Sequence, residues 1–186
     1  TTQLLRGRFP SFASQPHSWY NPIENWDDFG TKQNPMRELT DLLEEHALND
    51  GVPLNIVRKE ALQIYALAEI YGRPESQALT LQGGTCLRLV YNGVRYSEDV
   101  GFVTMLEADR LDKLLNEVRP GLSMMGPFFA GRVETRAQKQ AASLTRWKVY
   151  FQAANQRDST SISLEFARLP AYTLQVTTLK PTLELP

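Results

Sequence analysis

Between Leu79 and Val103 the chain reads Leu-Thr-Leu-Gln-Gly-Gly-Thr-Cys-Leu-Arg-Leu-Val-Tyr-Asn-Gly-Val-Arg-Tyr-Ser-Glu-Asp-Val-Gly-Phe-Val. The residues here that could do chemistry are Gly83, Gly84, Thr85 and Asp99. Two adjacent glycines let the backbone take positive φ and let a phosphate reach peptide N–H groups without meeting a Cβ. A carboxylate facing the same turn would hold a metal cation against that phosphate.

The elements that must position these groups can be read from the pattern. A short apolar strand leads into the glycines, Thr85 is placed to cap a helix over Cys86–Tyr91, and the positive end of that helix faces the turn. A second strand over Ser97–Val103 alternates, with Ser97, Asp99, Gly101 and Val103 on one face and Glu98, Val100 and Phe102 on the other. Asp99 is thereby expected to point where the glycine turn points. A double glycine by itself is equally an ordinary strand–turn–helix connection. The joint occurrence of Gly-Gly-Thr, an apolar helix and Arg-Tyr-Ser-Glu-Asp at this spacing is more specific.

This segment resembles the nucleotidyltransferase toxins of the AbiEii/AbiGii type, which belong to type IV toxin–antitoxin and phage-abortive systems within the polymerase-β-like superfamily. The resemblance implies that Gly83, Gly84 and Thr85 hold nucleotide phosphates, that Arg95 and Ser97 match the Arg-x-Ser preceding the carboxylates, and that Asp99 matches the first metal-binding aspartate. Gly101 stands where the family has its second aspartate. Mg²⁺ needs octahedral oxygen ligands, and two-metal phosphoryl transfer needs several carboxylates, so this departure bears directly on catalysis. Glu98 does not replace the missing ligand on a regular strand, because it faces the other side; a bulge at Gly101 would be needed to turn it round.

Length and composition bound the rest. The 186 residues, 42% hydrophobic, suffice for one domain with a core. A net charge of −1 gives no general attraction to nucleic acid or to acidic membranes, so a polynucleotide contact would be a local patch. One cysteine, Cys86, and two histidines, His17 and His46, exclude an internal disulfide and a cysteine or histidine metal cluster. Cys86 reads as a small buried residue. No apolar run approaches a membrane span and there is no signal pattern, so a cytoplasmic protein without a membrane partner is expected.

Residues 1–35 are expected to form an extended arm, with Phe9, Phe12, Trp19, Tyr20, Trp26 and Phe29 packing it onto the domain or a second subunit. The domain proper is taken as 36–186. Helices are predicted over Met36–Asn49, from Pro53 to Gly72, and over Glu107–Val118, the last ended by Pro120-Gly121. Met124–Ala130 is left open between strand and loop, and Arg132–Gln140 reads as a basic linker. Strands follow over Arg146–Phe151, with Trp147, Val149 and Phe151 on one face, and over Ser161–Phe166, with Ile162, Leu164 and Phe166 inward. Asn155–Asp158 makes the turn between them, and Leu174–Thr177 is a final strand.

The family resemblance adds a third acid at Glu165, with Ser163 where the family has a lysine. Lys148 on the neighbouring strand either supplies that positive charge or is an exposed edge-strand lysine. The family's further C-terminal helical region, with its charged residues, has no counterpart in the sequence. The expected fold is α/β (α+β), a small mixed nucleotidyltransferase-like sheet with helices packed mainly on one side. The implied function is transfer of a nucleotide from a nucleoside triphosphate to an RNA or protein acceptor with Mg²⁺, in the company of an antitoxin protein. The alternative is an inactive nucleotide- or partner-binding remnant of that fold. Either way Gly83, Gly84, Asp99 and Glu165 are expected to converge, with Asp99 and Glu165 as the metal-facing carboxylates.

Overall fold

The computed structural model describes residues 4–7, 35–129, 131–141, 143–154, 159–172 and 174–177. Within them the elements run β1 (Leu4–Gly7), α1 (Pro35–Asp50), α2 (Leu54–Tyr71), β2 (Leu79–Gln82), α3 (Gly83–Tyr91), β3 (Asp99–Thr104), α4 (Ala108–Met124), β4 (Gly131–Ala141), β5 (Leu144–Ala153), β6 (Ser159–Arg168) and β7 (Leu174–Thr177). The arm aromatics and the Asn155–Asp158 turn lie outside the described residues.

The strands make one mixed sheet in the order β4-β5-β6-β3-β2-β1-β7. β3 is parallel to β6 and β1 to β7, and the other pairings are antiparallel. Alternation along the central strands separates two faces. Val100 and Phe102 on β3, Trp147, Val149 and Phe151 on β5, and Ile162, Leu164 and Phe166 on β6 are all buried. They pack against α2 and α4, whose own buried rows include Val57, Ala61 and Leu67, and Leu111, Leu114 and Val118. Phe102 and Phe166, paired across the β3–β6 ladder, stack at 4.9 Å with rings 5° apart. The opposite face of these strands carries Asp99 and Gly101, Arg146, Lys148 and Tyr150, and Ser163 and Glu165, which are half-buried or exposed. This is the α+β arrangement with helices mainly on one side that the sequence predicts.

Three elements differ from expectation. Leu4–Gly7, placed in an extended arm outside the domain, is an interior strand of its sheet, pairing with β2 on one side and β7 on the other, because backbone ladder bonds need no alternating side-chain pattern to form. Arg132–Gln140, read as a linker, is most of β4, paired along its length with β5. Only Val133 of that strand is fully buried, so there is no apolar alternation to reveal it. α4 runs through Pro120 to Met124 instead of stopping before the proline. An interior proline costs about 3 kcal/mol through its missing N–H and its ring. Burial of Leu122 and Met125 beyond it offsets that cost. The region left open, Met124–Ala130, contains the end of α4 and a single 3₁₀ turn over Pro127–Phe129.

Candidate active site

The glycines of the β2–α3 junction serve separate geometric ends. Gly83 has φ +80°, which a side chain would strain. Gly84 lies against Ser97: a Cβ there would come within 3.0 Å of the Ser97 hydroxyl. α3 begins at Gly83, with Gln82 in the capping position, so Thr85 does not cap the helix as the sequence suggests. It lies buried in the first turn, and its hydroxyl donates to the carbonyl oxygen of Asp99 at 2.6 Å. The Ser97 hydroxyl donates to the same oxygen at 3.2 Å. The start of β3 is thus tied to the first turn of α3 by the Thr85 hydroxyl, while the Ser97 hydroxyl closes its own loop.

β3 begins at Asp99, leaving Ser97 and Glu98 in the preceding loop. That loop is held from behind by α2. Gln63 donates its amide to the Ser97 carbonyl at 2.8 Å, and Lys59 pairs with Glu98 at 2.6 Å. Glu98 therefore faces the helix side, as alternation requires, and the β3 register runs through Gly101 without a bulge. Arg88 of α3 binds the buried Glu60 of α2 through its Nε at 2.9 Å, reaches Asp50 at 3.3 Å and lies over the Tyr96 ring at 3.9 Å. Tyr96 donates its hydroxyl to Asp50 at 2.6 Å. Sequence reading missed these supports, and only Glu60, an acid that falls on the apolar face of α2 with Val57, Ala61 and Ile64, could have signalled one. Arg95 is exposed on the same loop.

Asp99 is exposed on the face opposite α2 and α4, next to Ser163 of β6, and Ser163 is next to Lys148 of β5. One step along the sheet, Gly101 is next to Glu165, and Glu165 is next to Arg146. Asp99 and Glu165 therefore share a face on adjacent strands, two residues out of register, a separation of about 7–8 Å between backbones. Gly83, Gly84, Thr85, Ser97 and Asp99 cluster at one end of β3, with Glu165 on the adjacent strand β6 and Lys148 one strand further out on β5. Lys148 is not an edge-strand lysine, since β4 covers β5 on its outer side.

The donor set does not fit a two-metal centre. Gly101 offers no ligand, and the Glu165 carboxylate is paired with Arg146 at 2.6 Å. Among the described residues no three His, Cys, Asp or Glu side chains come together as metal ligands do.

Comparison with known proteins places these residues in a family. Residues 65–186 match the family described as the nucleotidyl transferase AbiEii toxin of type IV toxin–antitoxin systems. No curated protein matches the chain. Among solved structures, JHP933 from Helicobacter pylori aligns at 20% identity and a TM-score of 0.46, over 63% of this chain and 46% of that one. A candidate nucleotidyltransferase from H. pylori aligns at 17% identity and a TM-score of 0.44, over 66% and 53% respectively. The chain thus spans about half the length of each. With the Gly-Gly-Thr turn, Asp99 and Glu165 all inside the matched residues, the chain belongs to the AbiEii nucleotidyltransferase toxin family.

Proposed function

We propose that this domain binds a nucleoside triphosphate with its phosphates on the backbone N–H groups of Gly83, Gly84 and Thr85, and that its reduced carboxylate set leaves nucleotide transfer too slow to detect. The observation that carries the reading is the junction itself. Gly83 at positive φ and Gly84 backed onto Ser97 begin α3 beside the exposed Asp99. Phosphate binding there uses peptide N–H groups and a helix end, neither of which depends on a second aspartate. Arg95, Ser97 and Lys148 are the further nucleotide contacts in this reading.

The family generally uses a divalent metal. A single Mg²⁺ at Asp99 is the most that these donors would hold, because Mg²⁺ is exacting about its oxygen geometry. Each fixed charge aimed at a transferring phosphoryl group is worth on the order of 10²–10³ in rate, so the glycine at 101 is a severe loss. A second reading keeps the family's reaction, transfer from a nucleoside triphosphate to an RNA or protein acceptor. It is favoured by Lys148, which stands beside Ser163 and so next to the position of the family's lysine. An antitoxin protein is the partner that membership implies, and the cytoplasm is the compartment proposed. No helix among the described residues is long and apolar enough to cross a membrane.

Incubation with labelled nucleoside triphosphates, Mg²⁺ and total RNA or protein separates the two readings. The first expects nucleotide binding by calorimetry and no labelled product. Labelled product that disappears in Asp99→Ala would establish the second.

A further inference from the structure

Beside Asp99, Gly101 and Glu165, the two outer strands β4 and β5 carry cations. Arg136, Lys148, Ser163 and Asp99 lie side by side across β4, β5, β6 and β3, and Lys139, Arg146, Glu165 and Gly101 form the adjacent row. Directly opposed residues project from the same face, so these side chains share the face opposite α2 and α4 with the candidate site. Strands are about 4.8 Å apart, which puts the Arg146 backbone about 10 Å from Gly101. Its guanidinium reaches back to within 2.6 Å of Glu165, the residue beside Gly101. A positive charge therefore stands against Glu165, the carboxylate that would hold a metal beside Gly101.

Arg146 also has donors to spare. A guanidinium carries five N–H groups in a planar fork, suited to a carboxylate or a phosphate. The terminal nitrogen bound to Glu165 uses one side of that fork, while the Nε is buried and has no hydrogen-bond partner among the described residues. A buried donor without an acceptor calls for explanation, and a bound oxyanion is one. Lys148 makes no ion pair among the described residues, and its charge helps hold the Glu98 carboxyl below its ordinary range, after the dominant hydrogen bond from Lys59. Strand register puts it in the row that ends at Asp99, two residues after Ser97.

We propose that Arg146 and Lys148 replace the missing metal charge, so that this domain binds the triphosphate of a nucleotide without a divalent cation. The inference rests on the nucleotide-binding reading above and adds what neutralises the phosphates. It makes an unusual demand of Glu165. In a metal centre Glu165 would be a ligand, and Glu165→Gln would weaken nucleotide binding. In a guanidinium site Glu165 competes with the phosphates for Arg146, and the same change leaves binding equal or tighter.

Calorimetric titration of the chain with ATP and with GTP, in EDTA and then in Mg²⁺, tests this. The expected result is a Kd in EDTA within about threefold of that in Mg²⁺, a loss of about tenfold or more in Arg146→Gln and in Lys148→Gln, and no loss in Glu165→Gln. Melting curves establish that each variant is folded, and the EDTA comparison needs no variant. Binding only in Mg²⁺, or weakening by Glu165→Gln, would overturn the inference while leaving the nucleotide reading in place. Absence of binding under both conditions would overturn both.

Discussion

At the scale of single residues, Gly83 at the junction and Gly101 on β3 matter for the side chain each lacks. Gly83 occupies a region that costs an L-residue about 1–2 kcal/mol, so Gly83→Ala should lower unfolding free energy by about that amount, measurable by urea titration. Gly101 is a different case. A Cβ there would meet Gln82 only at 3.4 Å, an ordinary contact, so Gly101→Asp should be accommodated. It would return a carboxylate to the face shared by Asp99 and Glu165. Nucleotide binding in this variant should become tighter in Mg²⁺ than in EDTA, and an unchanged ratio between the two would show that the missing aspartate is not what limits metal use. Cys86, the lone thiol, is pushed up to about 11 by burial. Its thiolate fraction at pH 8 is about a thousandth, and a disulfide reagent should label it only when the chain is unfolded.

Among the elements, α2 has two tasks on different parts of its surface. Its apolar side packs under the sheet, while Lys59, Glu60 and Gln63 hold α3 and the loop that leads into β3. Glu60 is only 2% exposed, and its partner Arg88 also bridges to Asp50 and stacks on Tyr96. Removing one member of such a pair strands the other charge, at a cost of about 3–5 kcal/mol. Glu60→Ala should therefore destabilise the fold by that amount. Amide hydrogen exchange over Asn92–Glu98 should accelerate beyond the global change, because the loop loses its anchor as well as the domain its stability.

For the molecule as a whole, the loop-anchoring network contributes to the acid limb of stability. The Tyr96 hydroxyl, with Arg88, holds the Asp50 carboxyl below its ordinary range, and Lys59 does the same for Glu98. For groups depressed in the folded state, the contribution is complete above the ordinary carboxylate range. As the pH falls through that range the unfolded chain takes up protons first, and the contribution is lost by the time the folded-state carboxyls protonate. Urea midpoints should therefore fall between neutral pH and pH 3. In the double variant Asp50→Asn, Glu98→Gln the curve should be flatter over that interval and lower at neutral pH.

Much of the architecture was legible in the chain because it follows from local periodicity. The apolar face of α1 and α2, the alternation of Trp147, Val149 and Phe151, and the final strand at Leu174–Thr177 all stand as read. The glycine turn was legible too, since positive φ at Gly83 is a property of a single residue. β4 was not, because an exposed edge strand needs no apolar pattern; its stability comes from backbone pairing with the next strand, β5, which leaves no trace in its own side chains. Nor was the passage of α4 through Pro120, where burial of Leu122 outweighs a local preference. The sequence by itself determined the family and the loss of a carboxylate at position 101. Only the tertiary structure decided that Glu165 is engaged by Arg146, because strand register brings together residues 19 positions apart, and a charge is tuned by its neighbours in space.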